Sequence, residues 1–182
     1  MREDFCGKAI PTIGGIIMAL AEGQRFIDFK LQNQDGKTVS LDDFNGKWLV
    51  LYVYPKDDTP GCTIQGKSFT ASKEEFDAAN IAVVGVSEDD IESHKNFGNK
   101  FGFTIDLLAD PQHELLNAAD VGQSEYKGTM YWNRTSFVID PEGKLRKIYR
   151  KVNPEGHEQV LLEDIKQMQQ QQGQAQGSGS HG

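Results

Sequence analysis

The sequence predicts an α/β fold: a central mixed β-sheet flanked by helices, with an N-terminal β-hairpin. Three observations carry this. Two apolar runs, Trp48–Tyr54 and Ile81–Val86, read as strands buried on both faces. The segment between them is long enough for a helix, and strands joined in that way pair in parallel through a right-handed crossover. Turn signals at Asp35-Gly36 and at Pro141-Glu142-Gly143 each separate two strand-like runs, which adds antiparallel edges.

The elements follow in order. Phe26–Leu31 alternates apolar and polar residues and predicts a strand, with Thr38–Leu41 as its return. After the first buried strand, Gly61 to about Ala79 predicts a helix, with Phe69 and Phe76 seven apart on one face. After the second, Ser87 with Asp90 forms a Ser-x-x-Asp capping box for a helix ending near Phe101. Asp106–Ala109 reads as a short strand and Gln112–Ala119 as a short helix. Thr135–Ile139 and Lys144–Tyr149 flank the second turn. A last helix runs from Pro154 to about Gln170, with Val160, Leu161, Ile165 and Met168 as its apolar face. A mixed sheet with helices on both faces is a thioredoxin-like layout.

One domain accounts for residues 18–168. The chain has 182 residues, 37% hydrophobic and 25% charged, enough for one sizeable core. Residues 1–17 read as a leader or appended extension, expected to be disordered. Ile10–Ala21 is mildly apolar and ends in the A-x-A-like Ala19-Leu20-Ala21, but Glu3, Asp4, Pro11 and Gly14-Gly15 argue against a secretory signal. Residues 169–182 are rich in Gln, Gly and Ser and are expected to be a disordered tail. A net charge of −8 argues against nucleic-acid and anionic-membrane partners. No apolar stretch reaches the roughly 18 residues of a spanning helix. Two cysteines are too few for a disulfide framework, so a cytoplasmic location is expected. His94, His113, His157 and His181 lack metal-ligand spacing and read as solvated histidines, so no metal is expected. Asp57-Asp58, Asp89-Asp90 and Glu74-Glu75 read as exposed charges and helix-start residues.

The chemistry concentrates at Pro55-Lys56-Asp57-Asp58-Thr59-Pro60-Gly61-Cys62, between the first buried strand and the helix. Cys62 therefore falls at a helix N-terminus, where unpaired backbone N–H groups and the dipole favour an anion. A thiolate is such an anion and is the nucleophilic form of cysteine. The bland alternative is a buried structural thiol, but the end of a strand in an open α/β sheet is where ligands bind. Thr59 lies about one turn from Cys62, so its hydroxyl can reach the sulfur.

The pattern Pro55-x-x-x-Thr59-x-x-Cys62 resembles the active-site loop of the peroxiredoxins, and most closely their bacterioferritin-comigratory (PrxQ) branch. Arg134-Thr-Ser-Phe-Val-Ile-Asp140 resembles the stretch where that family places an arginine beside the sulfur, and Gln34–Leu41, Tyr52–Thr59, Val84–Ser87 and Leu108–Pro111 are also similar. The resemblance spans roughly residues 20–166. It implies a thiol peroxidase without a cofactor, acting on hydrogen peroxide and organic hydroperoxides through Cys62. Backbone N–H groups of Gly61 and Cys62 would stabilise the parting oxygens, Thr59 would bond the sulfur or the peroxide, and Pro55 would wall off water. Arg134 would favour the thiolate and hold a peroxide oxygen.

The departure lies after Cys62. Many members of the branch carry a resolving cysteine five residues on, where this chain has Lys67, within Ile64-Gln65-Gly66-Lys67. No cysteine occurs in Asp89–Phe101 as an alternative resolver, and Cys6 lies in the N-terminal extension. The expectation is one-cysteine chemistry: sulfenic acid at Cys62 recycled by an external thiol such as thioredoxin, glutaredoxin or glutathione, in a monomer. The loss of the resolver also motivates an alternative, a peroxide-sensing chaperone or binding module without efficient turnover.

Overall fold

The computed structural model describes the backbone of residues 12–13, 16–17 and 20–181, and the side chains of residues 20–171. A two-residue ladder pairs β1 (Thr12–Ile13) with β2 (Ile16–Ile17). The main sheet has seven strands: β3 (Lys30–Gln32), β4 (Thr38–Ser40), β5 (Trp48–Val53), β6 (Ile81–Ser87), β7 (Asp106–Ala109), β10 (Thr135–Ile139) and β11 (Leu145–Arg150). Their spatial order is β11-β10-β5-β6-β7-β3-β4. Strands β5, β6 and β7 are parallel, and both edges are closed by antiparallel hairpins. This is the expected thioredoxin-like mixed sheet.

Strand β5 is buried throughout because both of its faces are covered. Leu49, Leu51 and Val53 face a core with Phe26, Phe137 and the short helix α4 (Glu114–Ala118), through Leu115 and Leu116. Trp48, Val50 and Tyr52 face the opposite core. There they meet Phe69 of α1 (Pro60–Ala71), Phe76 of α2 (Lys73–Ala78), Phe97 of α3 (Ile91–Phe101), and Leu161 and Ile165 of α5 (His157–His181). Cys62 belongs to this second core.

Several boundaries differ from expectation. The strand expected over Phe26–Leu31 is only Lys30–Gln32; Phe26 and Phe29 are buried in an irregular segment, and the amide of Phe26 donates to Gly143 O. Its return strand stops at Ser40, where a 3-10 turn over Leu41–Phe44 begins. The helix after Cys62 is broken at Ser72, yet Phe69 and Phe76 still meet at 5.9 Å between ring centroids. Helix α3 is capped by Asp90, whose Oδ1 accepts from the Ser93 amide, while Ser87 remains in β6. The last helix starts at His157 rather than Pro154, and its backbone runs on through the glutamine tract to His181. Glutamine is a fair helix former, so the tract itself supplies no stop. On α5, Val160 is exposed and Leu162 is buried, so the inward face is Leu161, Leu162 and Ile165, with the expected Met168 half-buried against the same core. A further hairpin, β8 (Gln123–Tyr126) with β9 (Thr129–Trp132), leads directly into Arg134. The side chains of Cys6 and His181, and the expected extension at 1–17 as a whole, lie outside the fully described residues.

His157 and His94 are buried, against the expectation of solvated rings. His157 Nε2 lies 2.9 Å from Ser136 Oγ. Burial, opposed in part by Asp164, lowers its pKa from 6.5 to about 4. Below about pH 6.5 the unfolded chain takes up a proton that the folded chain refuses, so stability is full above that pH and falls as the pH drops towards 4. Thermal melts should show a Tm decreasing over this window, with a shallower decrease in His157→Gln; equal slopes would remove His157 as the cause.

Candidate active site

The loop between β5 and α1 places the cysteine. Asp58 takes a left-handed backbone (φ 58°) that turns the chain, Thr59 is the extended N-cap, and Pro60 occupies the first helical position, where a missing N–H costs nothing. Cys62 follows in the first turn of α1, with 1% of its surface exposed. The first helical hydrogen bond runs from Thr63 N to Thr59 O, 2.8 Å. The amides of Gly61 and Cys62 precede it, in the turn where a helix offers its N–H groups no internal acceptor.

Arg134 arrives from the other side. Thr135 pairs with Val53 across β10 and β5, which sets the preceding residue at the mouth of the loop. Both Nη1 and Nη2 of Arg134 lie 3.6 Å from Cys62 Sγ, so the guanidinium fork straddles the sulfur. Nη1 also donates to Gln65 Oε1 at 2.7 Å. Gly61 makes this approach possible: a Cβ there would sit 2.8 Å from Arg134 Nη2 and 3.5 Å from Pro154 Cγ. Tyr52 packs in the same core; burial first, with a smaller contribution from the neighbouring Cys62, pushes its hydroxyl well above its usual range, so it remains protonated.

The other expected site residues are placed less directly. The Thr59 hydroxyl donates to Lys56 O at 2.9 Å rather than to the sulfur, which leaves its oxygen lone pairs available as acceptors. Pro55 is half-buried at the head of the loop. Lys67 is exposed, its ammonium 5.2 Å from the centre of the Phe101 ring. Gly66 lies under Phe103, whose ring would be 2.2 Å from an added Cβ; that contact explains a glycine inside a helix.

The sequence reading missed the support behind the loop. Asp57 was expected to be exposed, but it is 7% exposed and accepts from Tyr54 Oη (2.6 Å) and Ser93 Oγ (2.7 Å). His94, fully buried, sets Nδ1 2.7 Å from Asp57 Oδ2 and Nε2 2.9 Å from Leu108 O. The Asp57 amide donates to Asp89 Oδ2 at 2.9 Å, which ties the loop to the start of α3. A usable signal existed: His94, Phe97 and Phe101 fall at i, i+3 and i+7 on one helix face. Among the described residues no cluster of His, Cys, Asp and Glu is arranged to hold a metal ion, and no helix is long and apolar enough to cross a membrane.

Comparison with known proteins bears on this arrangement. The model of the AhpC/TSA family matches residues 23–148. Peroxiredoxin Bcp of Bacillus subtilis (strain 168) is 40% identical over 157 residues, covering 83% of this chain and 98% of its own. The chain is a peroxiredoxin of the Bcp/PrxQ subfamily. This peroxiredoxin is also 42% identical to the chloroplastic peroxiredoxin Q of Triticum aestivum, over 71% of its own length and 59% of the plant protein. Its structure resembles a mutant of Xylella fastidiosa PrxQ with a TM-score of 0.79 at 31% identity, covering 83% and 98% of the two chains. It resembles the Xanthomonas campestris bacterioferritin comigratory protein with a TM-score of 0.75 at 35% identity, covering 81% and 99%. As a member of this subfamily the peroxiredoxin is a thiol-dependent peroxidase, with a peroxide and a thiol as its two substrates.

Proposed function

We propose that Cys62 is the attacking thiolate of this peroxidase, and that an external thiol completes the cycle. The observation that carries this is the Arg134 fork, with both terminal nitrogens 3.6 Å from a sulfur held in the first turn of a helix. The thiolate attacks one peroxide oxygen, the O–O bond breaks, and the other oxygen leaves as water or an alcohol after taking a proton. Arg134 and the amides of Gly61 and Cys62 stabilise the charge that moves onto the departing oxygen. Thr59 uses its lone pairs to accept from the protonated peroxide oxygen, and Pro55 limits water at the loop. Organic hydroperoxides belong among the substrates by analogy with the Xanthomonas campestris relative, described for its alkyl peroxide reduction activity.

The sulfenic acid is then attacked by a thiol, releasing water and leaving a mixed disulfide; a second thiol frees Cys62 and carries away the disulfide. Lys67 cannot take this role, and Cys62 is the free cysteine among the described residues. Because Cys62 is almost fully buried, the first turn of α1 loosens to admit the reductant. The chain works as a monomer in this scheme. The test compares the full chain with residues 18–182, each given peroxide with glutathione, glutaredoxin or thioredoxin, and followed by mass spectrometry. The expected result is many turnovers per Cys62 in both, with sulfenic and then sulfinic acid when the thiol is withheld. A Cys6–Cys62 disulfide would replace this scheme with a two-cysteine one. Oxidation without turnover would favour the sensing alternative.

A further inference from the structure

The stretch that ends α3 grips α1 one turn beyond the cysteine. Gly102 closes α3 in a left-handed backbone (φ 68°), and the amide of Phe103 donates back to Gly98 O at 2.9 Å. In a glycine-terminated helix end of this kind, the residue after the glycine packs back onto the last turn. Phe103 does so on Phe97, with ring centroids 4.9 Å apart, and lies 5.8 Å from Phe101. Held by those two rings, Phe103 fills the space against Gly66 and leaves no room there for even a methyl group. The Lys67 ammonium lies over Phe101, and the amide of Thr104 donates to Thr70 Oγ1 at 3.2 Å. Positions 66, 67 and 70 of α1 are thus fastened to one short stretch, residues 101–104.

α1 has little of its own to keep it wound. Pro60–Ala71 contains two glycines and two threonines, besides Cys62 and Ile64, all weak helix formers. Its N-cap Thr59 makes no side-chain bond to the helix, and its first turn has no acidic residue. A short helix of this composition is held by its packing. Ahead of Gly66, Arg134 holds it through Gln65 and through Cys62, the atom that the reaction changes. From Gly66 onward the hold comes from residues 101–104, which the reaction leaves alone.

We propose that Phe103 is a further positioning residue for the reaction: seated against Gly66, it is the catch at which the opening of α1 stops, so Cys62 is released to an external thiol while the helix from Gly66 onward stays wound. The inference rests on the reading above, in which Cys62 is the attacking thiolate and the first turn of α1 loosens. It adds that position 67 stays fixed throughout the cycle. Residues five apart in a helix stand about 7.5 Å apart along its axis. That exceeds the roughly 7 Å over which two Cα atoms can be bridged by a disulfide. A thiol at position 67 reaches Cys62 only if the helix unwinds past it, and the catch prevents this. The chain lacks the movement for an internal resolver as well as the sulfur.

The test restores the sulfur. Lys67→Cys is made in a Cys6→Ser chain, alone and combined with Phe103→Ala or Phe103→Leu. Each is treated with hydrogen peroxide and quenched over time for mass spectrometry. The sulfenic acid of Cys62 and the new thiol would join as a disulfide with loss of water. In Lys67→Cys alone the sulfenic acid should persist and pass on to sulfinic acid. With Phe103→Ala the disulfide should form about tenfold faster or more, because loss of the ring lowers the cost of opening. Phe103→Leu keeps an apolar side chain against Gly66 and should stay near the slow rate. A second measurement needs no change at Phe103: amide exchange in the otherwise unchanged Cys6→Ser chain with Cys62 held as its mixed disulfide with glutathione. The amides of Ile64 and Gln65 should lose the protection they have in the reduced chain. Those of Thr70 and Ala71, whose helical acceptors are Gly66 and Lys67, should keep it. A merely structural Phe103 predicts a lower Tm in Phe103→Ala with no change in the rate of disulfide formation. That pattern, rapid disulfide formation in Lys67→Cys alone, or lost protection at Thr70 and Ala71 overturns the inference. Absence of sulfenic acid at Cys62 in every chain would overturn the earlier reading instead.

Discussion

Cys62→Ser should fold with an unchanged Tm and consume no peroxide above background. The substitution removes little volume from a side chain packed among Tyr52, Phe69 and Phe97, so the core is retained. It replaces a thiol with a far less acidic hydroxyl, and a neutral hydroxyl is a weak nucleophile. Arg134→Ala provides the graded companion. It removes both donors at 3.6 Å and leaves the nucleophile, so the rate constant with peroxide should fall by about 10²–10³-fold, the usual effect of losing a preorganised donor. Competition kinetics at a fixed pH and stopped-flow measurements with hydrogen peroxide check both. Activity retained in Cys62→Ser would move the chemistry to Cys6; a rate retained in Arg134→Ala would take Arg134 out of the site.

Asp57→Ala should be the most damaging change outside the sulfur's own surroundings. Asp57 gathers Tyr54 Oη, Ser93 Oγ and His94 Nδ1, with side chains 4% exposed for Asp57 and 0% for His94. His94 Nε2 faces a carbonyl and donates to it, while Nδ1 faces the Asp57 carboxylate. Removing the carboxylate strands three polar groups in a closed interior. Breaking a buried pair of this kind typically costs about 3–5 kcal/mol. For a domain of this size that corresponds to a Tm lower by roughly 6–20 °C. The loop that carries Cys62 keeps the amide bond to Asp89 but loses its side-chain bonds to Ser93 and His94 of α3, so peroxide reactivity should fall even at temperatures where the variant is folded. Calorimetry paired with the peroxide rate decides; a variant with an unchanged Tm would show that the network is dispensable.

The parts of this protein written in one dimension were legible from the sequence. The apolar runs of β5 and β6 are strands because both faces are covered, and their composition states as much without knowledge of the partners. The loop to Cys62 and the arginine at 134 were readable as patterns of fixed spacing. The hairpin β8–β9 was not, because β8 is exposed at every position and carries no alternation of apolar residues. Its turn at Lys127-Gly128, both with positive φ, lacks the Asn-Gly signature that would have marked it. Asp57 and His94 escaped for a different reason: a charged residue satisfied by partners 37 positions away looks in sequence like any surface charge. Only the contact between loop and helix α3 reveals that it is interior. Ser87 and Asp90 illustrate local ambiguity, since either could cap the following helix and the strand claimed the serine.

In the proposed cycle the near-complete burial of Cys62 also sets the order of events. A sulfur with 1% of its surface accessible is screened by size before it is selected by chemistry. Small oxidants diffuse to it, while bulky thiols and alkylating reagents meet a closed wall. In the proposed cycle the resting thiol is thereby shielded from bulky reagents, and the reductant enters when the first turn of α1 loosens. Oxidant first, reductant second is then set by how tightly one helical turn closes over one atom.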